Sequence, residues 1–341
     1  MTYLKHAAVA AIAAFAFAAQ AADSINLGSY RVTGTYSIAG TGGVSGLEAS
    51  AVTWARDRGT LFFVGDEGSG VVEISRTGQT LGSMAFNWAG TASRNFDTEG
   101  LTYVGGGRLV VTEERLYDAY RFDYAAGGTA TLANNYVSIS NANVGNNGLE
   151  GISYDPRDGS FVAVQQQTPQ DILAGRLSFA AGAGGTSTMA QVFNPSLLGV
   201  TTLSDVQTLS PIDSLAGTAA ANNFLVLSLG SRRLVEVNRL GQVLSSFDLS
   251  GVLPRNGIEG VTVDELGNIY LVAEQVQDST ALPTDMSQLI VLSQVTAPVP
   301  EPETYAMMLA GLGALGFVAR RRLRMPGRPA ARRSARTLPP A

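Results

Sequence analysis

The sequence predicts an all-β chain: a β-propeller of four-stranded blades, five in number and closed by an N-terminal strand. Three observations carry that prediction. A short phrase, most often Glu-Gly-apolar-Thr/Ser, returns along the chain, starting at Ser50, Glu99, Glu150, Asp205 and Glu259. The copies lie 49, 51, 55 and 54 positions apart, a period suited to one propeller blade. Each copy leads through a polar or Gly-rich turn into a β-branched and aromatic run, which reads as a strand.

The elements follow in chain order. In residues 1–21, Lys5 and His6 precede an apolar run that ends in Ala19-Gln20-Ala21, which reads as a signal peptide cut before Ala22. The run is too short to span a bilayer. Residues 22–299 then have the length of one large all-β domain. "YRVTGTYSI" from Tyr30 belongs to no repeat, while the fifth repeat ends after its third strand. Pairing the two would close the ring and remove the last open sheet edge. Within the repeats, "TLFFVGDE", "RLVVTEE", "SFVAVQQ", "NFLVLSL" and "NIYLVAE" are expected second strands. "GVVEIS", "AYRFDY", "RRLVEVN" and "SQLIVLS" are expected third strands, with "TLGSMAF" and "VLSSFDL" outermost. Residues 125–131 and "AAGAGGTST" read as loops; a sixth blade would require a degenerate repeat within residues 180–213. Residues 300–324 join Pro300-Glu301-Pro302 to an apolar segment, residues 305–319, and to Arg320, Arg321 and Arg322. Such a segment is expected to anchor transiently in the inner membrane, arginines on the cytoplasmic side. Residues 325–341 form a basic tail expected to be disordered.

Composition excludes much chemistry. The single His and the single Lys are His6 and Lys5, both within residues 1–21, and there is no Cys. Beyond residue 21 there can be no Ser-His-Asp triad, Cys nucleophile, His/Cys zinc site, Schiff-base lysine or phosphate-loop lysine. Between Asp23 and Pro300 stand 14 Arg against 26 Asp plus Glu, a net of −12. This balance disfavours nucleic acid and anionic membrane and favours cations.

If the phrases are innermost strands, their first residues surround one end of the central channel. Four of these are acidic: Glu99, Glu150, Asp205 and Glu259. The second strands run back to the same end and finish at Asp66, Glu114 and Glu274 in three blades, Gln166 and Leu229 in the others. Converging carboxylates repel, by roughly 4 kcal/mol for two unit charges about 4 Å apart at an effective dielectric near 20. A cation would offset this, and hard oxygen donors without His or Cys select Ca²⁺. Asn95, Asn146, Asn147 and Asn256 stand just ahead of the phrases and could add carbonyl oxygens. The same acidic residues could instead accept hydrogen bonds from the next blade and lock the ring. Trp54 and Trp88 could stack on a sugar or belong to the core. "GDEGSG" and "YVGGG" resemble phosphate loops but read as hairpin turns.

Two resemblances add to this reading. "VPEPETYAMMLAGLGALGFVARRRLR" resembles the PEP-CTERM sorting tail. That resemblance implies handover to exosortase-type machinery and delivery to the cell envelope or beyond. "EASAVTWARDRGTLFFVGDEGSGVVEIS", "FDTEGLTYVGGGRLVVTEER" and "NNGLEGISYDPRDG" resemble the SdiA-regulated β-propeller family, over nearly all of residues 30–295. Membership implies an exported bacterial propeller related in pattern to phytase-like propellers, which bind Ca²⁺ at the channel mouth. The leading expectation is an envelope-sorted, Ca²⁺-binding, non-catalytic interaction protein whose partner is matrix polysaccharide or an envelope protein. The alternatives are a Ca²⁺-dependent phytase-like phosphoesterase and a lactonase-like hydrolase. A phosphoesterase needs cationic groups for phosphate, and only Arg94, Arg115 and Arg255 stand near the acidic positions.

Overall fold

The computed structural model describes residues 23–140, 145–182, 184–276, 286–295 and 302–323. The expected signal peptide, Pro300 and Glu301 of the sorting tail, and the basic tail lie outside the described residues. The chain divides into two units, Met1–Val295 and Thr296–Ala341.

Five blades of four antiparallel strands, one per repeat, build the first unit, and the sheet of the first blade gains a fifth strand. The innermost strands are Ala49–Ala55, Thr98–Gly105, Leu149–Asp155, Asp205–Thr208 and Ile258–Val263, so each phrase opens an innermost strand as expected. Blade 1 continues through Thr60–Gly65, Gly70–Ile74 and Thr80–Asn87; blade 2 through Arg108–Glu113, Asp118–Asp123 and Tyr136–Ser138. Blade 3 continues through Ser160–Gln165, Asp171–Gly175 and Ala190–Gln191; blade 4 through Phe224–Ser228, Arg233–Val237 and Val243–Asp248. Blade 5 holds Ile269–Ala273 and Gln288–Gln294 and takes its outer strand, Tyr30–Ser37, from the start of the chain. That strand pairs antiparallel with Gln288–Gln294, from Tyr30 opposite Gln294 to Ser37 opposite Gln288.

Five blades are found as expected, and one loop expectation needs correction. Among the described residues, 180–213 hold no sixth blade: they supply half of a two-stranded hairpin, the outer strand of blade 3, a 3-10 turn, Pro195–Leu198, and the innermost strand of blade 4. Residues 125–131 are not all loop, because Thr129–Thr131 pairs in parallel with the outer strand of blade 1. The chain leaving blade 2 thereby covers its neighbour's exposed edge.

Packing follows from the alternation along the strands. Five buried apolar clusters fill the spaces between successive blades. Phe62, Val64 and Val71 of blade 1 meet Leu101, Leu109 and Val111 of blade 2, and the other interfaces repeat the arrangement. Each such side chain contributes roughly 1.5–3 kcal/mol on burial, so the ring coheres without disulfides. At the axis every innermost strand touches both its neighbours, the fifth meeting the first. Glycine after the acidic residue permits this approach. A Cβ on Gly151 would lie 2.6 Å from the Cα of Asp205, and one on Gly260 2.9 Å from the Cα of Ala51.

The fourth residue of the phrase ties the blades together. The Thr53 hydroxyl accepts from the Tyr103 amide (2.9 Å), Thr102 from Tyr154 (3.0 Å), Ser153 from Thr208 (3.0 Å) and Thr262 from Trp54 (3.1 Å). A second tie holds the N-terminal segment. Glu236, fully buried, accepts from the Ile25 amide (3.1 Å), Asn223 Nδ2 (2.8 Å) and the hydroxyls of Ser245 (2.8 Å) and Ser24.

In the second unit, residues Pro302–Leu323 form a 22-residue helix. Among the described residues no helix is long and apolar enough to cross a membrane.

Candidate metal centre at the acidic mouth

Whether an innermost strand aims its first acidic residue into the channel mouth depends on one local irregularity. In blades 1, 2, 3 and 5 the pairing of innermost and second strands slips across Ser50, Glu99, Glu150 and Glu259. Bulges of this kind re-aim a side chain and often lie next to functional sites. Blade 4 has no slip: Asp205 pairs with Leu227 and Val206 with Val226 in continuous register.

The consequence is a division among the residues that the sequence singled out. Glu99, Glu150, Glu259, Asp66, Glu114 and Glu274 act on one another electrostatically. Asp205 stands apart. Its carboxylate accepts from its neighbour's amide, Val206 (2.7 Å), and from the Val261 amide of blade 5 (2.7 Å). It therefore locks one blade to the next, the structural alternative that the sequence left open for all the acidic positions.

Three further acids belong to the mouth. One ligand oxygen from each of Glu48, Asp66 and Glu67 lies within 4.8 Å of the others, and the same holds for Asp66, Asp97 and Glu99. Asp66 is common to both groups. Glu48 and Asp97 had a signal that the alignment on the phrase passed over: each stands two residues before the phrase, in "LEAS" and "DTEG". The turn after the second strand meets that position in space. The Asp66 amide donates to the Glu48 carbonyl (3.3 Å) and the Glu114 amide to the Asp97 carbonyl (3.0 Å). Glu48 and Phe96 both hold left-handed backbone, φ 51° and 61°, so two side chains with a Cβ are kept in a costly conformation beside the acids. Glu67 sits in "GDEGSG", which is a turn as expected; its carboxylate accepts from Ser45 Oγ at 2.6 Å.

Burial and mutual repulsion act on these groups in the same direction. Burial, then Glu48, push Asp66 up to about 8. Burial pushes Glu114 up to about 7, with Asp97 adding to it and the Gly148 amide opposing. Burial, then Glu274 and Asp66, push Glu259 up to about 8. Glu99 and Glu150 are held well above the usual carboxylate range by burial first, then by Glu150 and Glu114 respectively. Hydrogen bonding does not compensate fully. Glu114 is 1% exposed; its Oε1 accepts from the Gly148 amide (3.2 Å), while its Oε2 has no partner among the described residues, and nor has Asp66 Oδ1. Buried oxygens left in this condition are costly unless they are protonated or bound by a cation.

The neighbouring polar groups supply little positive charge. Arg115 reaches Asp97 Oδ2 (Nε at 2.9 Å) and the side-chain oxygen of Asn146. Asn147 Oδ1 accepts from Gln167 Nε2 (2.6 Å), and Asn256 Nδ2 donates to the Glu274 carbonyl (2.8 Å), so the oxygens of Asn146 and Asn147 are already engaged. Arg94 donates to its neighbour's carbonyl, that of Ser93. Carboxylates thus dominate the donor set, which suits a hard divalent ion such as Ca²⁺.

Solved structures similar to this chain share low sequence identity with it. Glutaminyl cyclase of Myxococcus xanthus is 14% identical, with 78% of this chain and 97% of that one covered and a TM-score of 0.49. The PQQ-bound aldose sugar dehydrogenase of Streptomyces coelicolor is 10% identical, covering 77% and 97%, with a TM-score of 0.46. A luciferin-regenerating enzyme is 10% identical, covering 80% and 95%, with a TM-score of 0.43. Residues 298–322 match the PEP-CTERM protein-sorting motif, which marks the chain for export and envelope-associated sorting by exosortase-type machinery. Residues 23–276 match the SdiA-regulated family model, and the chain belongs to the SdiA-regulated family.

Proposed function

We propose that this protein is an envelope-sorted, non-catalytic interaction module that binds Ca²⁺ at the acidic mouth and presents that face to matrix polysaccharide or an envelope protein. The observation that carries the reading is the pair of carboxylate groups sharing Asp66, with one oxygen each of Asp66 and Glu114 lacking a hydrogen-bond partner among the described residues. Glu99, Asp66 and Asp97 would hold the ion, and Asp66 is shared with the group of Glu48 and Glu67. A bound divalent ion would draw these carboxyls into their charged form and replace their mutual repulsion with attraction. The inner-membrane anchoring expected of the C-terminal segment belongs to this same proposal, as a transient step before the tail is cut.

The phytase-like phosphoesterase and the lactonase-like hydrolase are the alternatives. Phosphate binding needs uncommitted cationic groups, and Arg115 is held by Asp97 and Asn146. That favours a binding role over phosphate transfer.

The test is thermal unfolding of the full chain in EGTA and in millimolar Ca²⁺. At a hundredfold excess over Kd, binding stabilises by about 2.7 kcal/mol. The expected result is a midpoint that rises with Ca²⁺, a rise lost when Glu99 and Glu150 become Gln. An unchanged midpoint returns the carboxylates to a structural role. Ca²⁺-dependent hydrolysis of p-nitrophenyl phosphate, abolished in Glu150→Gln, would instead establish the enzyme.

A further inference from the structure

The five innermost strands end at the mouth opposite the acids, around a cavity of about 580 Å³, within the ~300–1,000 Å³ range of small-molecule sites. Its walls are mainly apolar and come from all five blades, with Tyr103, Tyr154, Pro156, Pro211 and Val263 among them. The deep side is polar. Thr53 and Thr102 line the cavity and are each 4% exposed; each hydroxyl oxygen accepts a backbone amide, and neither hydroxyl hydrogen has an acceptor among the described residues. The rim's cation is already paired and its carboxylate holds one amide. Arg56 makes a two-pronged pair with Asp213, both bonds 2.8 Å, and Asp57 accepts from the Gly106 amide.

We propose that this cavity binds an uncharged pyranoside unit, its apolar ring face against Tyr103 and Tyr154 and its oxygens toward the Thr53 and Thr102 hydroxyls. The chemistry narrows the choice step by step. A hydrocarbon would leave two buried hydroxyl donors unpaired, which carries the full desolvation penalty. An anion would find Arg56, the arginine of the rim, already paired with Asp213, and a cation would meet the single carboxylate of Asp57, whose Oδ2 holds the Gly106 amide. A pyranose ring offers acceptor oxygens around its edge and C–H groups on its face, matching a polar floor and aromatic walls. Trp54 lines the same cavity, but its ring is stacked on Tyr270 (6.1 Å, 9° between planes) with the Arg76 guanidinium 4.4 Å from the ring centre. It therefore serves as a reporter at the wall rather than as the stacking platform. Trp88, the only other tryptophan, packs among Phe86, Phe96 and Tyr120 in blades 1 and 2.

The proposal is independent of calcium at the other mouth, and the two can fail separately. The experiment titrates the full chain with methyl gluco-, galacto- and mannopyranosides, and with benzoate and phenol as ring-sized controls. Binding is read by saturation-transfer NMR on the unmodified chain and by Trp54 fluorescence in a Trp88→Phe variant. At least one pyranoside is expected to bind and to shift the Trp54 signal. Tyr154→Ala, which removes part of the wall, is expected to weaken it about tenfold or more, and Pro156→Phe to obstruct the rim, with the Ca²⁺ response retained in both. Failure of all three pyranosides overturns the proposal, as does binding of phenol or benzoate in their place. Pyranoside binding unaffected by both substitutions would place the sugar elsewhere and also overturn it.

Discussion

Replacing Glu114 by Gln should make the cation-free protein more stable at alkaline pH, against the usual cost of altering a buried residue. The side chain is 1% exposed, and its carboxyl rises from an ordinary 4.5 to about 7, chiefly through burial. At 1.36 kcal/mol per pH unit, that displacement corresponds to about 3 kcal/mol. The sign follows from proton counting. Between pH 4.5 and 7 the folded chain holds this proton and the unfolded chain has released it, so stability falls with rising pH across that window. It is full below 4.5 and the loss is complete above 7. Glutamine does not titrate, yet its Oε1 can keep the bond from the Gly148 amide. The stability difference, variant minus parent, should therefore move in the variant's favour by about 3 kcal/mol between about pH 4 and pH 8. Urea unfolding in EGTA at the two pH values measures this without needing the variant's own packing energy, which cancels. A difference that is the same at both would refute the account, because Glu114 would then be ordinarily ionised or already partnered. In Ca²⁺ the order at the higher pH should shrink or reverse, since the parent carboxylate then faces a cation.

Other substitutions separate structural acids from the mouth. Asp205→Ala removes the acceptor of two 2.7 Å amide bonds in a buried site, and should cost about 2–4 kcal/mol in thermal or urea unfolding while leaving the Ca²⁺ response intact. Glu236→Ala should release the N-terminal segment from Ile25, Asn223 and Ser245; limited proteolysis should then cut near residues 23–29 before the rest of the ring opens. Gly68→Ala should fail to fold or lose several kcal/mol, because the residue has φ +59° and the new Cβ would lie 1.8 Å from the Phe96 carbonyl oxygen; circular dichroism melting would show it. Asp66→Asn should remove the Ca²⁺-dependent midpoint rise more completely than Glu67→Gln, since Asp66 belongs to both carboxylate groups and Glu67 to one.

The ring itself was legible along the chain. The phrase repeats because most copies do the same local work: glycine for close approach at the axis in three of them, an apolar residue between blades in four, and a Thr or Ser hydroxyl for the neighbour's amide in four. Periodicity in the sequence is periodicity in those contacts, so blade number, innermost strands and the closing role of Tyr30–Ser37 could be read without coordinates. The limits of that reading are equally physical. Thr129–Thr131 and the outer strand of blade 3 are only three and two residues long, too short for alternation to show, and they pair because a neighbouring edge is exposed. The acidic positions also look alike in sequence. A backbone bulge, which depends on the register of a partner strand, turns Glu99, Glu150 and Glu259 toward one another. Continuous register leaves Asp205 bonded to the next blade. Glu48 joins Asp66 and Glu67 only because a turn folds back on the residue ahead of the strand. The sequence by itself determined the repeat, the charge and the exclusion of His, Cys and Lys chemistry. Tertiary structure alone decided which carboxylates converge and where a cavity opens, because both depend on register and closure, relations between segments far apart along the chain.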